Sequence, residues 1–352
     1  MRVLQVTTDR DRRGAQVFAA EMSPLLGDES WSVHTAALAL GDGDDGLPFE
    51  VLGRRRLGIG TLMMLRRRIR SADVVIGYGS STLPACGIAS QGTSVPFIYR
   101  SIGDLRYWAD SHAKRLRVRA MLSRAAIVVA LWPQAAETIC SDFGVSHERI
   151  RVIPRGVDPE HFEPVGDAER RKHRAAWGLP EKAPVAAIVG SLSSEKAIDV
   201  ALSAASRIEG LYLLVAGDGP QRGRLEQFAR TTLPDRVVFL GRVTDTRPVY
   251  AASDLLVLPS LSEGVPGVVL EAGMCGRPAV ATDVGGTGSI IIDGVTGRLV
   301  APGDVEAFAK AIEAVLPQAR DLGLAARASY QDRFGLARVA QQWTQVLTSV
   351  SR

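Results

Sequence analysis

Short apolar runs recur along the chain, separated by segments of helix length. The runs at 3–7, 33–37, 73–78, 97–101, 127–131 and 151–154 read as a first series of strands. Those at 185–189, 212–216, 237–240, 255–259, 279–282 and 298–300 read as a second. Most are rich in Val, Ile and Leu, without clean alternation. A strand with helices on both sides needs no polar face, so this is the pattern of parallel sheets. Strands alternating with helices predict right-handed βαβ units. Between the two series, residues 156–183 are polar, include Pro159, Pro164 and Pro180, and carry a charged helix-like piece at 170–177. That shift marks a domain boundary. Past Gly335, the residues Leu336, Val339, Trp343, Val346 and Leu347 are spaced as on one face of a helix. The expected organisation is α/β, with two Rossmann-like domains at residues 1–160 and 161–334. A C-terminal helix over 335–352 follows, with the first domain as its candidate packing partner.

Ligands of open parallel sheets sit beyond the carboxyl ends of the strands. Two such domains in tandem place a ligand in a cleft between them, so chemistry is expected just after the strands. Composition narrows the classes. A chain of 352 residues is long for one α/β core, and 46% apolar with 23% charged residues excludes a disordered chain. A net charge of +4 leans towards an anionic ligand but is too small to argue for nucleic acid, and no nucleic-acid motif is present. Cys86, Cys140 and Cys275 are far apart in apolar, helix-like stretches, so buried free thiols are expected rather than a disulfide framework or a zinc site. The opening residues read as a strand rather than a leader, and no apolar run reaches membrane-spanning length. A cytoplasmic protein is the expectation.

The densest chemistry lies at 259–278. A strand ends at Pro259, a loop with Gly264, Pro266 and Gly267 follows, and a helix then begins. Glycines let backbone N–H groups approach a ligand, and a helix start favours an anion such as a diphosphate. Glu263 in the loop and Glu271 in the helix repel phosphate. They suit sugar or ribose hydroxyls, which donate hydrogen bonds to a carboxylate. Two glutamates alone would be no more than solvated or capping residues.

This stretch resembles the retaining GT-B glycosyltransferases grouped as family 4, the glycosyl transferases group 1. Their signature is two glutamates separated by seven residues, a small-residue helix and Cys-Gly-x-Pro, here Glu263, Glu271 and Cys275-Gly276-Arg277-Pro278. The likeness continues through 280–286 and 292–304, and upstream through 152–158, 215–220, 238–241 and 252–254. It covers residues 150–305 strongly and 1–150 loosely. The resemblance implies that Glu271 binds the donor ribose and Glu263 the transferred sugar. The backbone of Gly264, Val265, Pro266, Gly267 and Val268 then cradles sugar and diphosphate, and residues from Gly241 to Val243 meet the base. It also implies a first domain for the acceptor, a second for the donor, and no cofactor or metal, the nucleotide-sugar being a substrate.

A second motif runs from Val189 through Gly190 and Ser191 to Lys196, which is expected to open the next helix and to neutralise a leaving diphosphate. The family pattern has arginine where Ser191 stands, glycine at Ala197 and an acid near Ser289. After the first strand, Arg13 and Gly14 stand where the family has two glycines in a loop that lies against donor phosphate or acceptor. At the end of the strand at 97–101, Arg100 stands where many relatives have a histidine. Arginine suits phosphate by its bidentate fork, so Arg100, with Arg12 or Arg13, is expected to supply the charge missing at Ser191.

Basic clusters at 54–56, 66–70 and 114–119 complete the inventory, with Leu62, Leu65 and Ile69 interleaving the second. Solvated helix faces are the preferred reading, and peripheral membrane contact the less favoured one. The expected function is retaining transfer from a nucleotide-sugar, UDP before GDP, onto an acceptor hydroxyl. Rival readings are a weakly active or inactive relative serving as a binding subunit, or a nucleotide-sugar epimerase. Absence of GxGxxG after the first strand speaks against a dehydrogenase.

Overall fold

Apolar residues on both faces commit the runs to covered, parallel pairing, and the computed structural model shows that pairing throughout. It describes residues 1–27, 31–43, 46–107 and 109–350. The described chain divides into two units, one of residues 1–156 with 336 onward, the other of 157–335.

In the first unit, β1 (Arg2–Thr7) leads to α1 (Gly14–Met22), β2 (Ser32–Ala37) and β3 (Glu50–Val51). Then come α2 (Ile59–Arg70), β4 (Val74–Tyr78), α3 (Thr82–Ala89), β5 (Phe97–Arg100), α4 (His112–Leu122), β6 (Ile127–Ala130), α5 (Pro133–Phe143) and β7 (Ile150–Val152). The sheet order is β3-β2-β1-β4-β5-β6-β7. The two-residue β3 was not anticipated from the sequence, because a pair of residues carries no period.

In the second unit, α6 (Asp167–Ala176), β8 (Val185–Val189), α7 (Ile198–Ser206), β9 (Tyr212–Ala216), α8 (Arg222–Thr232), β10 (Val237–Gly241) and α9 (Arg247–Ala252) come first. β11 (Leu255–Leu258), α10 (Gly267–Met274), β12 (Ala279–Thr282), α11 (Thr287–Ile290), β13 (Gly297–Val300), α12 (Val305–Val315) and α13 (Ala319–Phe334) follow. The order is β10-β9-β8-β11-β12-β13. Successive strand residues point to opposite faces. Thus Leu214 and Leu256 join a core with Tyr250, Val269 and Tyr330, while Leu213 and Leu255 join another with Phe308 and Ile312.

Helix α14 (Leu336–Val350) belongs to the first unit. Its apolar stripe, Leu336, Val339, Trp343, Val346 and Leu347, packs with Phe18 and Met22 of α1 over Tyr78 and Ile98 of the sheet. Residues 351–352 of the expected terminal helix lie outside the described residues. The charged piece between the strand series is α6, and it is anchored by charge. Arg174 is buried, donating to Asp254 Oδ2 (2.9 Å) and to the carbonyls of Ala252, Glu181 and Ala183. Arg170 donates to the other oxygen of Asp254 at 2.6 Å. Cys86 and Cys275 are buried free thiols, whereas Cys140 is only partly covered, because it lies near the end of α5 with its sulfur 3.4 Å from His147 Nδ1.

Candidate functional site

In the second unit the site is built where β8 and β11 end. The loop after β11 carries Glu263, whose side chain is nearly buried. Its Oε1 accepts from Lys196 Nζ at 2.7 Å and from Ser260 Oγ at 2.7 Å. The two donors fix the carboxylate's rotamer, and a charge-assisted bond this short is among the stronger kind. Lys196 was expected to open a helix. It instead ends a 3-10 turn, Ser194–Lys196, and Ala197 follows in the left-handed region (φ 44, ψ 42) before α7 begins at Ile198. That turn is tied to the glutamate loop through Leu261 N, which donates to Glu195 O at 2.7 Å.

The loop is braced from the β12 side. Gly285 has φ 57, and a Cβ there would lie 1.8 Å from the Glu263 carbonyl oxygen, so the two backbones meet only because this residue is glycine. Gly286 N donates to Gly264 O at 2.7 Å. Ser289, at the position where an acid was noted as missing, turns its hydroxyl onto Gly286 O at 2.6 Å. Val265 and Val268 pack on the core beneath. Pro266 precedes α10, and Gly267 is its first residue. No side chain caps this helix and its first turn has no acid, which leaves its N-terminal amides to an anion.

Glu271 lies one turn into α10. Its Oε2 accepts from Tyr250 OH at 3.0 Å and from Thr246 Oγ1 at 3.3 Å. Burial and the adjacent carboxylate raise the Tyr250 pKa far above that of an ordinary phenol, so it remains a donor. Gly190 follows β8 with φ 150, and the Cβ that Gly217 lacks would fall 1.7 Å from its carbonyl oxygen. Ser191 is exposed, its hydroxyl 3.2 Å from that of Ser193. Gly241 closes β10 at φ 70 and accepts from Gly217 N at 2.8 Å, and Val243 packs against the core just beyond. Ser260, Thr246 and Tyr250 were not anticipated. Ser260 lies inside the stretch noted at 259–278, where it was given no role of its own, and Thr246 and Tyr250 lie shortly before the motif at 252–254.

Arg13, Gly14 and Arg100 belong to the first unit. Arg13 is the N-cap residue of α1 and donates to Asp11 Oδ2 at 2.7 Å. Gly14 is the first helical residue, and a Cβ on it would lie 3.4 Å from Arg155 Nη1. Arg100 was expected to present its guanidinium at an open strand end. It is buried instead, 2% exposed, with its guanidinium carbon 4.1 Å from the Phe18 ring centre and 5.7 Å from that of Tyr78. Among the described residues its Nε has no hydrogen-bond partner. Burial pulls its pKa down to about 10, and the charge of Arg155 acts in the same direction. In the basic clusters, Arg56 is paired with Asp9, Arg68 with Glu50, and Arg66 donates to the carbonyls of Ala89 and Gln91. Among the described residues, no helix is long and apolar enough to cross a membrane.

Two family models match, one in each half. The description "Glycosyl transferases group 1" covers residues 183–318, and "Glycosyltransferase Family 4" covers 12–161. Among curated proteins, the chain is 36% identical over 189 residues to D-inositol 3-phosphate glycosyltransferases of Mycobacterium tuberculosis and Mycobacterium bovis. That match covers 51% of this chain and 39% of the relatives' length, so the aligned region spans about two fifths of those proteins. Among solved structures, Anabaena Alr3699/HepE, crystallised with UDP-glucose, is similar with TM-score 0.87 at 23% identity, covering 99% of this chain and 100% of that one. Sucrose-phosphate synthase from Thermosynechococcus elongatus follows with TM-score 0.83 at 23% identity over 99% of both chains. At such identities the likeness speaks for the fold, two Rossmann-like α/β units with parallel sheets.

Proposed function

Since the chain belongs to the group 1, or family 4, glycosyltransferases, we propose that it moves a sugar from a nucleotide diphosphate donor to an acceptor hydroxyl, with retention at the anomeric carbon. One observation carries the reading. Glu263 is held between Lys196 and Ser260, and Glu271 is held by Tyr250 and Thr246, on one loop and the helix that follows it. Carboxylates fixed in this way are prearranged acceptors for hydroxyl donors, Glu263 for the transferred sugar and Glu271 for the ribose. The uncapped start of α10 and the Lys196 ammonium meet the diphosphate. The bond from the anomeric carbon to the phosphate oxygen breaks, the acceptor oxygen takes its place on the same face, and the acceptor's proton passes to the leaving diphosphate. Lys196 and the helix start stabilise the charge that grows on that diphosphate. No cofactor takes part in this reading. UDP-sugars are the proposed donors, a choice supported by the UDP-glucose bound to the Anabaena protein. The name of the mycobacterial relatives supports a small polyol or sugar acceptor in place of nucleic acid or a membrane.

Titrating the protein with UDP and GDP tests this. UDP is expected to bind, and Glu271→Gln to weaken it by about 10- to 100-fold, the value of a lost charged acceptor. Binding that is indifferent to Glu271, or no binding of either nucleotide, would sink the donor-site assignment.

A further inference from the structure

The ion pair of the second unit joins the two charges on which the proposed reaction leans. Lys196 Nζ lies 2.7 Å from Glu263 Oε1, and the two side chains are only 21% and 9% exposed. So little water screens the pair that each charge is largely spent on the other. The transferase reading nevertheless asks Lys196 to neutralise a diphosphate. A diphosphate that draws the ammonium towards itself leaves Glu263 charged and short of a partner, which is costly at a site this enclosed.

The two partners are not equally anchored. Ser260, itself fully buried, donates to the same Oε1 at 2.7 Å, and its own carbonyl accepts from Thr282. The Glu263 carbonyl abuts Gly285, and Gly264 O takes the amide of Gly286. The carboxylate is thus fixed from two sides. Lys196 stands at the end of a three-residue turn and carries its charge on a flexible four-carbon stem. Ala197, the next residue, is held in the left-handed region at φ 44, a strain that a shift of the turn relieves. The lysine is therefore the partner that moves.

We infer that Glu263 and the diphosphate compete for Lys196, and that the transferred sugar decides the contest. A sugar hydroxyl donating to Glu263 satisfies the carboxylate in the lysine's stead and frees the ammonium for the diphosphate. This deepens the transferase reading and rests on it. Its consequence is discrimination between the whole donor and the spent nucleotide. A UDP-sugar brings the hydroxyl that releases Lys196, whereas UDP has to draw the lysine away unaided and is held less firmly.

A double-mutant cycle on the whole chain, read by calorimetric titration with UDP, tests the competition. Glu263→Gln keeps the size of the side chain and removes its charge, and is expected to bind UDP about tenfold more tightly than the wild type. Lys196→Met is expected to weaken UDP by less than about threefold in the wild type and by about tenfold or more in the Glu263→Gln background. At least one of UDP-glucose, UDP-galactose and UDP-N-acetylglucosamine is expected to bind the wild type more tightly than UDP does, and to lose that advantage in Glu263→Gln. Equal costs of Lys196→Met in both backgrounds overturn the competition, because the carboxylate then acts by its own repulsion alone. So does a Glu263→Gln protein that binds UDP no better than the wild type, or one that fails to fold. If none of the three UDP-sugars outdoes UDP, the releasing role of the sugar falls. UDP binding that depends on Glu271 beside an additive cycle confines the failure to this inference. No UDP binding by any form sinks the transferase reading itself.

Discussion

Ala197 occupies a backbone conformation that costs an L-residue roughly 1–2 kcal/mol. Glycine adopts it without that penalty but loses about 0.5–1 kcal/mol of chain entropy on folding. Ala197→Gly is therefore expected to stabilise the protein by about 0.5 kcal/mol, read as a higher urea midpoint, and a lower midpoint would show that the turn is relaxed as it stands. Gly285 is the opposite case. Gly285→Ala sets a methyl 1.8 Å from the Glu263 carbonyl oxygen, so the glutamate loop must move. Turnover is expected to fall by about tenfold or more, because displacement of a positioned group by about an ångström is enough to do so; unaltered kinetics would mean that the brace is dispensable. Glu263, Glu271 and Lys196 were legible because their spacing is carried by one continuous motif or by a glycine turn after a strand. The hydroxyls that hold the carboxylates were not. Tyr250 stands 21 residues before the Glu271 it contacts, and any hydroxyl brought close by folding serves as well. The burial of Arg100 was hidden for the same reason, since the strand end looks open until Phe18 of α1 is laid across it.

Strands were the easiest elements to anticipate, because a segment covered on both faces advertises itself by composition alone. Helix α6 was harder. Its arginines look like a charged surface piece, and their partner Asp254 lies 80 residues beyond Arg174. Helix α14 shows how much one element contributes. Trp343 is fully buried against Tyr78, ring centres 6.3 Å apart. Trp343→Ala is expected to cost about 3–5 kcal/mol. Trp343→Phe should cost much less, since the indole Nε1 it removes is buried without a hydrogen-bond partner among the described residues. Denaturant melts of both variants check the order, and equal losses would mean that the indole nitrogen contributes after all.

Hydrogen exchange reads the proposed donor site of the second unit as a whole. UDP is expected to slow exchange in α10 and in the turn at 194–196. UDP binding without protection of either segment would contradict that assignment. The path of the chain adds a consequence of its own. The first unit's core needs α14, yet roughly 180 residues of the other unit intervene before Leu336 is reached. At ribosomal speeds of ~5–20 residues per second, that is a delay of about 10–40 s. During it, the nascent first unit carries Phe18, Tyr78 and their neighbours uncovered, a natural client for a holdase chaperone. Premature termination anywhere in that interval leaves a fragment marked for disposal by its own exposed surface.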